Sequence, residues 1–150
     1  MPALLTRKES DALVERIARS FAAHQLGLWA IEVPGVAPFI GFAGLAIPTF
    51  EAHFTPCVEV GWRLGRAFWG AGYATEAARA AVADGFVRLG LGEIVSFTVP
   101  ANTRSWGVME RLGMHRNPKD DFDHPKLPVG DRLARHVLYR LTRAEWAPNQ

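Results

Sequence analysis

The sequence lacks the features that would place this protein outside the cell or in a membrane. Among 150 residues there is one cysteine, Cys57, which excludes an intrachain disulfide and suits a reducing compartment. No apolar run approaches the roughly 20 residues that a membrane-spanning helix needs. The first ten residues lack the apolar region and cleavage site of a signal peptide. We therefore expect a cytoplasmic protein with no membrane partner.

An excess of charge of one sign is also missing. The chain carries 17 Lys and Arg against 15 Asp and Glu, a formal net charge of +2. Its arginines near the C-terminus are separated by apolar residues, so they do not form the basic patch that a nucleic-acid partner requires. No internal repeat or linker divides the chain, and this length suits one core. The sequence predicts one domain over residues 1–150.

Hydrophobic periodicity and turn signals predict an alternation of helices and strands. Thr6 and Glu9 have the spacing of a capping box at the start of the first helix. The predicted elements are a helix at 8–24, strands at 28–33, 39–47 and 58–64, a helix from 72 to about 89, a strand at 94–99, a helix at 102–112, a loop at 117–131 and a strand at 135–142. Consecutive strands without intervening helices indicate an α/β fold with a mixed sheet rather than a doubly wound one.

The most informative segment is the strand that runs through Gly70 and Gly72 into a helix. Such a turn presents unpaired helix N–H groups to an anion, although a plain turn would have the same spacing. A Walker loop would need Gly-Lys-Ser/Thr, whereas Tyr-Ala follows the second glycine. A dinucleotide site would need a third small residue and an acid that ends the next strand, whereas Glu93 precedes it. What remains is a pyrophosphate loop over Trp69–Ala74.

Two motifs in this order resemble a known family. Residues 69–77, Trp-Gly-Ala-Gly-Tyr-Ala-Thr-Glu-Ala, resemble the acetyl-CoA pyrophosphate loop of the GNAT N-acetyltransferase superfamily. The segments Val-Pro-Ala-Asn-Thr-Arg-Ser at 99–105 and Val-Met-Glu-Arg-Leu-Gly-Met at 108–114 resemble the Asn-x-x-Ser…Leu-Gly-Phe/Met segment of its RimJ/RimL branch, the ribosomal-protein alanine acetyltransferases. The likeness covers most of 58–116, and more loosely 26–142.

This resemblance implies a mixed, mostly antiparallel central sheet, helices on both faces, and a V-shaped cleft between the strands at 58–64 and 94–99. Acetyl-CoA would be the co-substrate, and no metal is expected. Arg104 and Arg111 could equally be a solvated helix face, and Asn102 could be only an N-cap. The implied cofactor contacts are the backbone of Trp62 and Leu64 for pantetheine, the loop residues Trp69, Gly70, Ala71, Gly72, Tyr73 and Ala74 for the pyrophosphate, and Asn102, Arg104 and Arg111 for the acyl end or phosphates.

The implied reaction is acetyl transfer to a primary amine, on a protein N-terminus or a small amino compound, by direct attack in a ternary complex. A general base would help to deprotonate the amine. Glu59 on the cleft strand is the leading candidate, although it could be a solvent-facing acid, and His53 is the second. The leaving thiolate needs a proton donor. Because the chain has no tyrosine between Tyr73 and Tyr139, Ser105 or a water molecule would serve.

Several alternatives stay open at this stage. Cys57 could form an acyl-cysteine intermediate, although a free cysteine before an apolar strand is usually a small buried hydrophobe. Asp121, Asp123 and His124 could bind a metal or line the substrate rim. The chain could also be a non-catalytic acyl-CoA-binding module or, less well supported, a nucleotide-binding domain. An exposed edge strand would support a homodimer.

Three departures from the family pattern are visible. Ala67 stands where many members place Gln or Arg, and Gly107 interrupts a helix at a cost of roughly 1 kcal/mol relative to Ala. The branch opens with a strand and a short helix, for which Met1–Ala3 leave no room. We therefore expect the strand at 28–33 to have an edge that is open or otherwise covered. A strand built from residues 1–8 on that edge would contradict this expectation.

Overall fold

The computed structural model describes residues 5–147 and contains the predicted helices and strands. The elements in chain order are α1 (Arg7–His24), β1 (Leu28–Val33), β2 (Ala37–Ala46), β3 (Glu59–Leu64), α2 (Tyr73–Val87), β4 (Glu93–Thr98), α3 (Thr103–Arg111), β5 (His115–Arg116), β6 (Phe122–Asp123), β7 (Arg135–Thr142) and α4 (Arg143–Trp146), with 3₁₀ turns at Arg66–Phe68 and Pro118–Asp120. The capping box of Thr6 and Glu9 is present at the start of α1. The prediction of an unstructured loop at 117–131 is wrong in part, because β6 pairs with β7 there.

The strands form one mostly antiparallel sheet in the order β1-β2-β3-β4-β7-β5, and β6 also pairs with β7. The pairing of β3 with β4 is parallel and is limited to one register pair, Glu59 with Val95. By contrast, β4 and β7 pair antiparallel along six residue pairs, from Glu93 with Thr142 to Thr98 with Val137. Beyond the single pair of Glu59 with Val95, β3 and β4 separate toward their carboxyl ends. The predicted mixed sheet with a V-shaped opening is therefore confirmed.

The main core lies on the sheet face covered by α2, α3 and α4. Phe86 of α2 is fully buried there, and burial of such a side chain contributes roughly 1.5–3 kcal/mol. Gly85 allows the close approach of α2, since a Cβ at this position would lie 2.8 Å from Ile94 Cδ1. The fixed position of α2 matters for function, because the first turn of this helix adjoins the opening of the V.

The opposite face is covered by two loops that meet in an aromatic cluster. Phe54 and Phe122 are buried against Val95 and Leu138, and Phe50 packs beside them. The rings of Phe54 and Phe122 meet edge to face, with centroids 4.7 Å apart. The loop before β3 and the loop before β7 therefore form one continuous wall over this face of the sheet.

The outer edge of β1 has no strand partner within residues 5–147, where β1 pairs only with β2. Residues 7 and 8 begin α1 rather than a strand, and residues 1–4, which belong to the same prediction, lie outside the described residues. None of the helices within residues 5–147 is long and apolar enough to cross a membrane.

Candidate functional site

The opening between β3 and β4 exposes main-chain groups of β3. Successive residues of a strand direct their N–H and C=O groups to alternate sides. The Val58 carbonyl accepts from the Val95 N–H at 2.9 Å, and the Val60 carbonyl accepts from the Ser96 hydroxyl at 2.9 Å. By the same alternation, the main-chain groups of Trp62 face the opening, where β4 has moved too far away to pair.

The loop that follows β3 ends in a helix N-terminus with no side-chain cap. Gly70 and Gly72 have left-handed backbone conformations, with φ of 80° and 83°, which glycine adopts without the strain of a Cβ. Gly72 is the N-cap residue of α2, and no side chain caps this end of the helix. The first N–H groups of α2 are therefore available to an anion in the opening.

A pair of arginines is held beside this helix terminus. Arg111 of α3 donates from Nε to the Thr75 hydroxyl in the first turn of α2, at 3.1 Å. Arg79 donates from Nη2 to the Arg111 carbonyl at 3.3 Å. Positive side chains at the positive end of a helix dipole are unfavourable unless an anion binds between them. This arrangement favours a phosphorylated ligand.

Gly107, which has no evident role in the sequence, makes room for this arginine. A Cβ at Gly107 would lie 3.1 Å from Arg111 Nη1, a tighter contact than side chains ordinarily make. The guanidinium thus lies across the helix surface at the position where a side chain would otherwise project. Gly107 therefore leaves space for the Arg111 guanidinium on the surface of α3.

These features line one cleft with a volume of about 740 Å³. It runs from the open side of β3, past the glycine loop, to the first turns of α2 and α3. The residues that line it are Trp62, Arg63, Leu64, Phe68, Trp69, Gly70, Gly72, Tyr73, Ala74, Thr75, Glu76, Arg79, Thr103, Arg104, Ser105, Gly107, Val108 and Arg111.

The family comparison agrees with this geometry. The model of the acetyltransferase (GNAT) domain matches residues 1–115. The chain belongs to the GNAT acetyltransferase family. The predictions of an acyltransferase family and of its fold are thereby confirmed.

Individual relatives of this GNAT chain support the same assignment. An Aspergillus fumigatus protein named FsC-acetyl coenzyme A-N(2)-transacetylase is 34% identical over 144 residues, covering 83% of this chain and 59% of the relative. An acetyltransferase structure from Agrobacterium tumefaciens has a TM-score of 0.68 at 26% identity, over 91% of this chain and 72% of that one. A ribosomal-protein-S5-alanine acetyltransferase from Vibrio fischeri, with a TM-score of 0.74 at 15% identity over 97% and 79%, shows the fold alone. The chain spans between 48% and 64% of the length of four curated relatives that it matches.

The GNAT cleft brings together most of the residues predicted to bind the cofactor. Ala71 is exposed on the turn and does not line the cleft. Asn102 caps α3, accepting from the Ser105 N–H at 3.4 Å, and its Nδ2 donates to the Thr98 hydroxyl at 3.0 Å. The capping interpretation of Asn102 describes these contacts, and its contact with cofactor stays a prediction. The predicted residues that line the cleft are Trp62, Leu64, Trp69, Gly70, Gly72, Tyr73, Ala74, Arg104, Ser105 and Arg111.

Other residues of the cleft were not predicted. Thr75 and Arg79 are four residues apart on α2, so they lie on the same helix face, toward Arg111. This four-residue spacing is the sequence signal that could have predicted Thr75 and Arg79 as cleft residues. Ser96, which lies outside the cleft lining and donates to the Val60 carbonyl, carries no signal in the sequence, because its contact depends on where β3 and β4 separate.

Glu59 lies at the closed end of the V-shaped opening (the point of the V), where β3 still pairs with β4. It does not line the cleft. Its side chain lies on the face of the sheet opposite α2, as strand alternation predicts, with Oε1 3.4 Å from the position of a Cβ on Gly61. Burial raises the pKa of this carboxyl to about 8, from 4.5. A carboxyl that titrates near neutral pH suits proton transfer.

The alternative nucleophile and base have less suitable surroundings. Burial, and then the nearby Glu59, raise the pKa of the Cys57 thiol to about 11, which disfavours the reactive thiolate. His53 is exposed, and its Nε2 lies 2.9 Å from the Asp120 carbonyl oxygen. The histidine thus links the two loops that cover this face.

The acidic loop residues considered as metal ligands are engaged by arginines. Arg116 donates two hydrogen bonds to the Asp121 carboxylate. Asp123 forms an ion pair with Arg135, with 3.5 Å between Oδ1 and Nη1. Within residues 5–147 no group of three or more His, Cys, Asp or Glu side chains is arranged to hold a metal ion.

We predict opposite effects of Gly107→Ala on stability and on CoA binding. The alanine should raise helix stability by up to about 1 kcal/mol. Its Cβ requires the Arg111 guanidinium to move by a few tenths of an ångström, so CoA binding should weaken by up to about tenfold, the scale of one charged hydrogen bond. Thermal unfolding and titration calorimetry measure the two effects. Thr75→Val, which removes the hydroxyl that holds Arg111, should weaken binding in the same direction; unchanged affinity in both variants would contradict the assignment.

Proposed function

We propose that this chain binds acetyl-CoA in the cleft and transfers its acetyl group to a primary amine. One observation carries the proposal: the part of β3 that does not pair with β4 leads, through the glycine loop, to the uncapped N-terminus of α2. An extended ligand with amide groups can form hydrogen bonds with the open side of β3, and a pyrophosphate can bind the helix N-terminus. CoA joins these two chemical features in that order. The name of the fungal relative, an acetyl coenzyme A transacetylase, supports the same donor.

In the proposed complex the pantetheine amides pair with β3 at Trp62 and Leu64. The pyrophosphate binds the N–H groups of Gly70–Ala74, and Arg104 and Arg111 neutralise the phosphates. Phosphate contacts of this kind are charge-assisted and about twice as strong as neutral hydrogen bonds. The motif at 99–114 supports placement of the chain in the RimJ/RimL branch.

Transfer would proceed by direct attack of the amine on the thioester carbonyl. The new C–N bond forms as the C–S bond breaks, and Glu59 takes the proton that leaves the amine. The Ser105 hydroxyl donates its proton to the leaving thiolate and regains one from water. Ser105 suits this role because it lines the cleft in the first turn of α3. Alignment of the reactants supplies much of the rate, since effective molarities reach about 10⁵ M.

The acceptor proposed is a protein N-terminus or a small amino compound. An α-amine has a pKa of about 8, so a useful fraction is neutral at pH 7, whereas a lysine amine near 10.4 is almost fully protonated. The pKa of Glu59, about 8, is close to that of an α-amine. This match favours α-amines over side-chain amines.

The test has two stages, binding and turnover. Calorimetry should show saturable binding of acetyl-CoA by the purified chain. Release of free thiol should then follow with at least one of three acceptor classes: peptide N-termini, amino acids or polyamines. A chain that does not bind acetyl-CoA would contradict the proposal.

A second candidate function is a non-catalytic acyl-CoA-binding module. It is favoured by the position of Glu59, which lies at the point of the V and not among the residues that line the cleft. Tight CoA binding without thiol release across the amine panel would select this alternative.

A further inference from the structure

The indole of Trp69 connects the two sides of the cleft. Its Nε1–H donates to the Leu64 carbonyl at the end of β3, at 3.0 Å. The Arg104 guanidinium, from the first turn of α3 on the other side, lies 5.0 Å from the indole centroid. Arg66 approaches the same ring at 5.8 Å. The indole therefore contacts both walls of the opening.

This contact occupies a main-chain group that faces the cleft. The Leu64 carbonyl belongs to the same alternating set as those of Val58 and Val60, which accept from β4. In that set the Leu64 carbonyl is the position farthest into the opening, and its donor is a side chain of the glycine loop. An extended ligand that pairs with β3 therefore competes with the indole for this carbonyl.

We propose that Trp69 is a gate for the pantetheine arm of CoA, closed by its bond to the Leu64 carbonyl and opened by the cofactor phosphates. The inference rests on the proposed function. The gate opens because Arg104 exchanges a weaker contact, with the indole, for a stronger one, with a phosphate. Exposed stacking on an aromatic ring is weaker than a charge-assisted bond to a phosphate. Phosphates that bind Arg104 withdraw it from the indole, after which a pantetheine N–H replaces the indole N–H on Leu64.

The gate predicts a fragment-dependent effect of Trp69→Phe. Phenylalanine keeps an aromatic ring for Arg104 but lacks the N–H donor, so the closed state loses its hydrogen bond. CoA should bind about fivefold more tightly, the scale of one neutral hydrogen bond. Affinity for 3′-phospho-ADP, which is CoA without its pantetheine arm, should change less than about twofold, because this fragment does not reach Leu64. Titration calorimetry with both ligands measures the difference.

Trp29→Phe is the matched control. Trp29 is 39% exposed, against 37% for Trp69, and lies on β1 outside the cleft. It should leave both affinities unchanged. A direct readout is the indole N–H resonance of Trp69 in ¹H–¹⁵N spectra, assigned by its absence in Trp69→Phe. The chemical shift of this resonance should change when CoA is added to the wild-type chain. The new chemical shift should be that of an indole N–H that does not donate to the Leu64 carbonyl.

Three outcomes would overturn the gate. They are an equal change for CoA and the fragment, weaker binding of CoA alone, and an indole resonance that CoA leaves in place. The first indicates a structural role in the loop, the second a positioning role, and the third an indole that stays on Leu64. Failure of the proposed function is distinct, because the wild-type chain would then bind neither CoA nor 3′-phospho-ADP.

Discussion

Gly72→Val should reduce the affinity for CoA by about 100-fold or more. A β-branched residue at φ 83° is strained by roughly 1–2 kcal/mol, and relief of that strain turns the N–H groups of the loop away from the pyrophosphate. Each lost bond to a charged group costs about 1.5–3 kcal/mol, and every 1.4 kcal/mol is tenfold in affinity. Titration calorimetry with CoA measures the loss.

The matched control is Gly130→Val. Gly130 has the same φ of 83°, and a Cβ at either glycine would meet nothing within 4 Å. The two variants should therefore lose similar amounts of folding stability, whereas only the variant at Gly72 should lose CoA affinity. Equal affinities would show that the loop does not hold the pyrophosphate. Gly72→Ala, with a smaller side chain, should fall between wild type and Gly72→Val.

The sequence was sufficient to predict the elements that local chemistry decides. The glycines at 70 and 72 predicted the turn because few other residues adopt left-handed conformations. Thr6 and Glu9 predicted the start of α1 because a capping box is complete within one turn. Consecutive strands predicted a mixed sheet because antiparallel neighbours need no crossover helix.

The contacts that depend on tertiary structure could not be predicted from the sequence. The length of the β3–β4 pairing, one residue pair at Glu59, is set by packing on both faces of the sheet. Arg111 lies beside Gly107 in a position where it also donates to Thr75 of α2, a contact between distant segments. Likewise, β6 inside the predicted loop forms because Phe122 joins an aromatic cluster whose other members come from distant segments.

The structure also separates two environments across the sheet. Among residues 5–147, the cleft side is lined by four arginines, at positions 63, 79, 104 and 111, and by one carboxylate, that of Glu76. The opposite face carries the aromatic cluster and also Arg140, which forms ion pairs with Glu93 and Asp120. A phosphorylated donor and an amine acceptor would each meet suitable surroundings if they approach the point of the V from these two sides. Glu59 and Val95 hold the two strands together where the two environments meet.

Glu59→Gln should lower kcat by about 100-fold or more with little change in CoA affinity. Loss of a general base typically costs 10²–10⁴-fold, while the residue does not line the cofactor cleft. Because the pKa of Glu59 is about 8, the wild-type rate should rise with pH up to about 8 and then level off. A weakly basic amine, neutral across this range, removes the ionisation of the acceptor from the profile. The Gln variant should lose the dependence on pH.

The same substitution should stabilise the protein at high pH. A folded-state pKa of about 8 lies above the ordinary value of 4.5, so the folded state holds this proton more tightly than the unfolded state. Its contribution to stability is complete below pH 4.5 and is lost as pH rises through 8. At pH 9, Glu59→Gln should exceed wild type by about 1–3 kcal/mol, since one pKa unit is about 1.4 kcal/mol and relaxation removes part of the shift.

Urea unfolding at pH 5 and pH 9 measures this difference, with Glu32→Gln as control. Glu32 is an exposed acid on β1, so its replacement should leave the gap between the two pH values as in wild type. If Glu59→Gln kept wild-type kcat but gained stability at pH 9, Glu59 would be a half-buried acid without a catalytic role. If it lost kcat and gained stability together, one carboxyl would carry both effects, and its burial would be the cause of each.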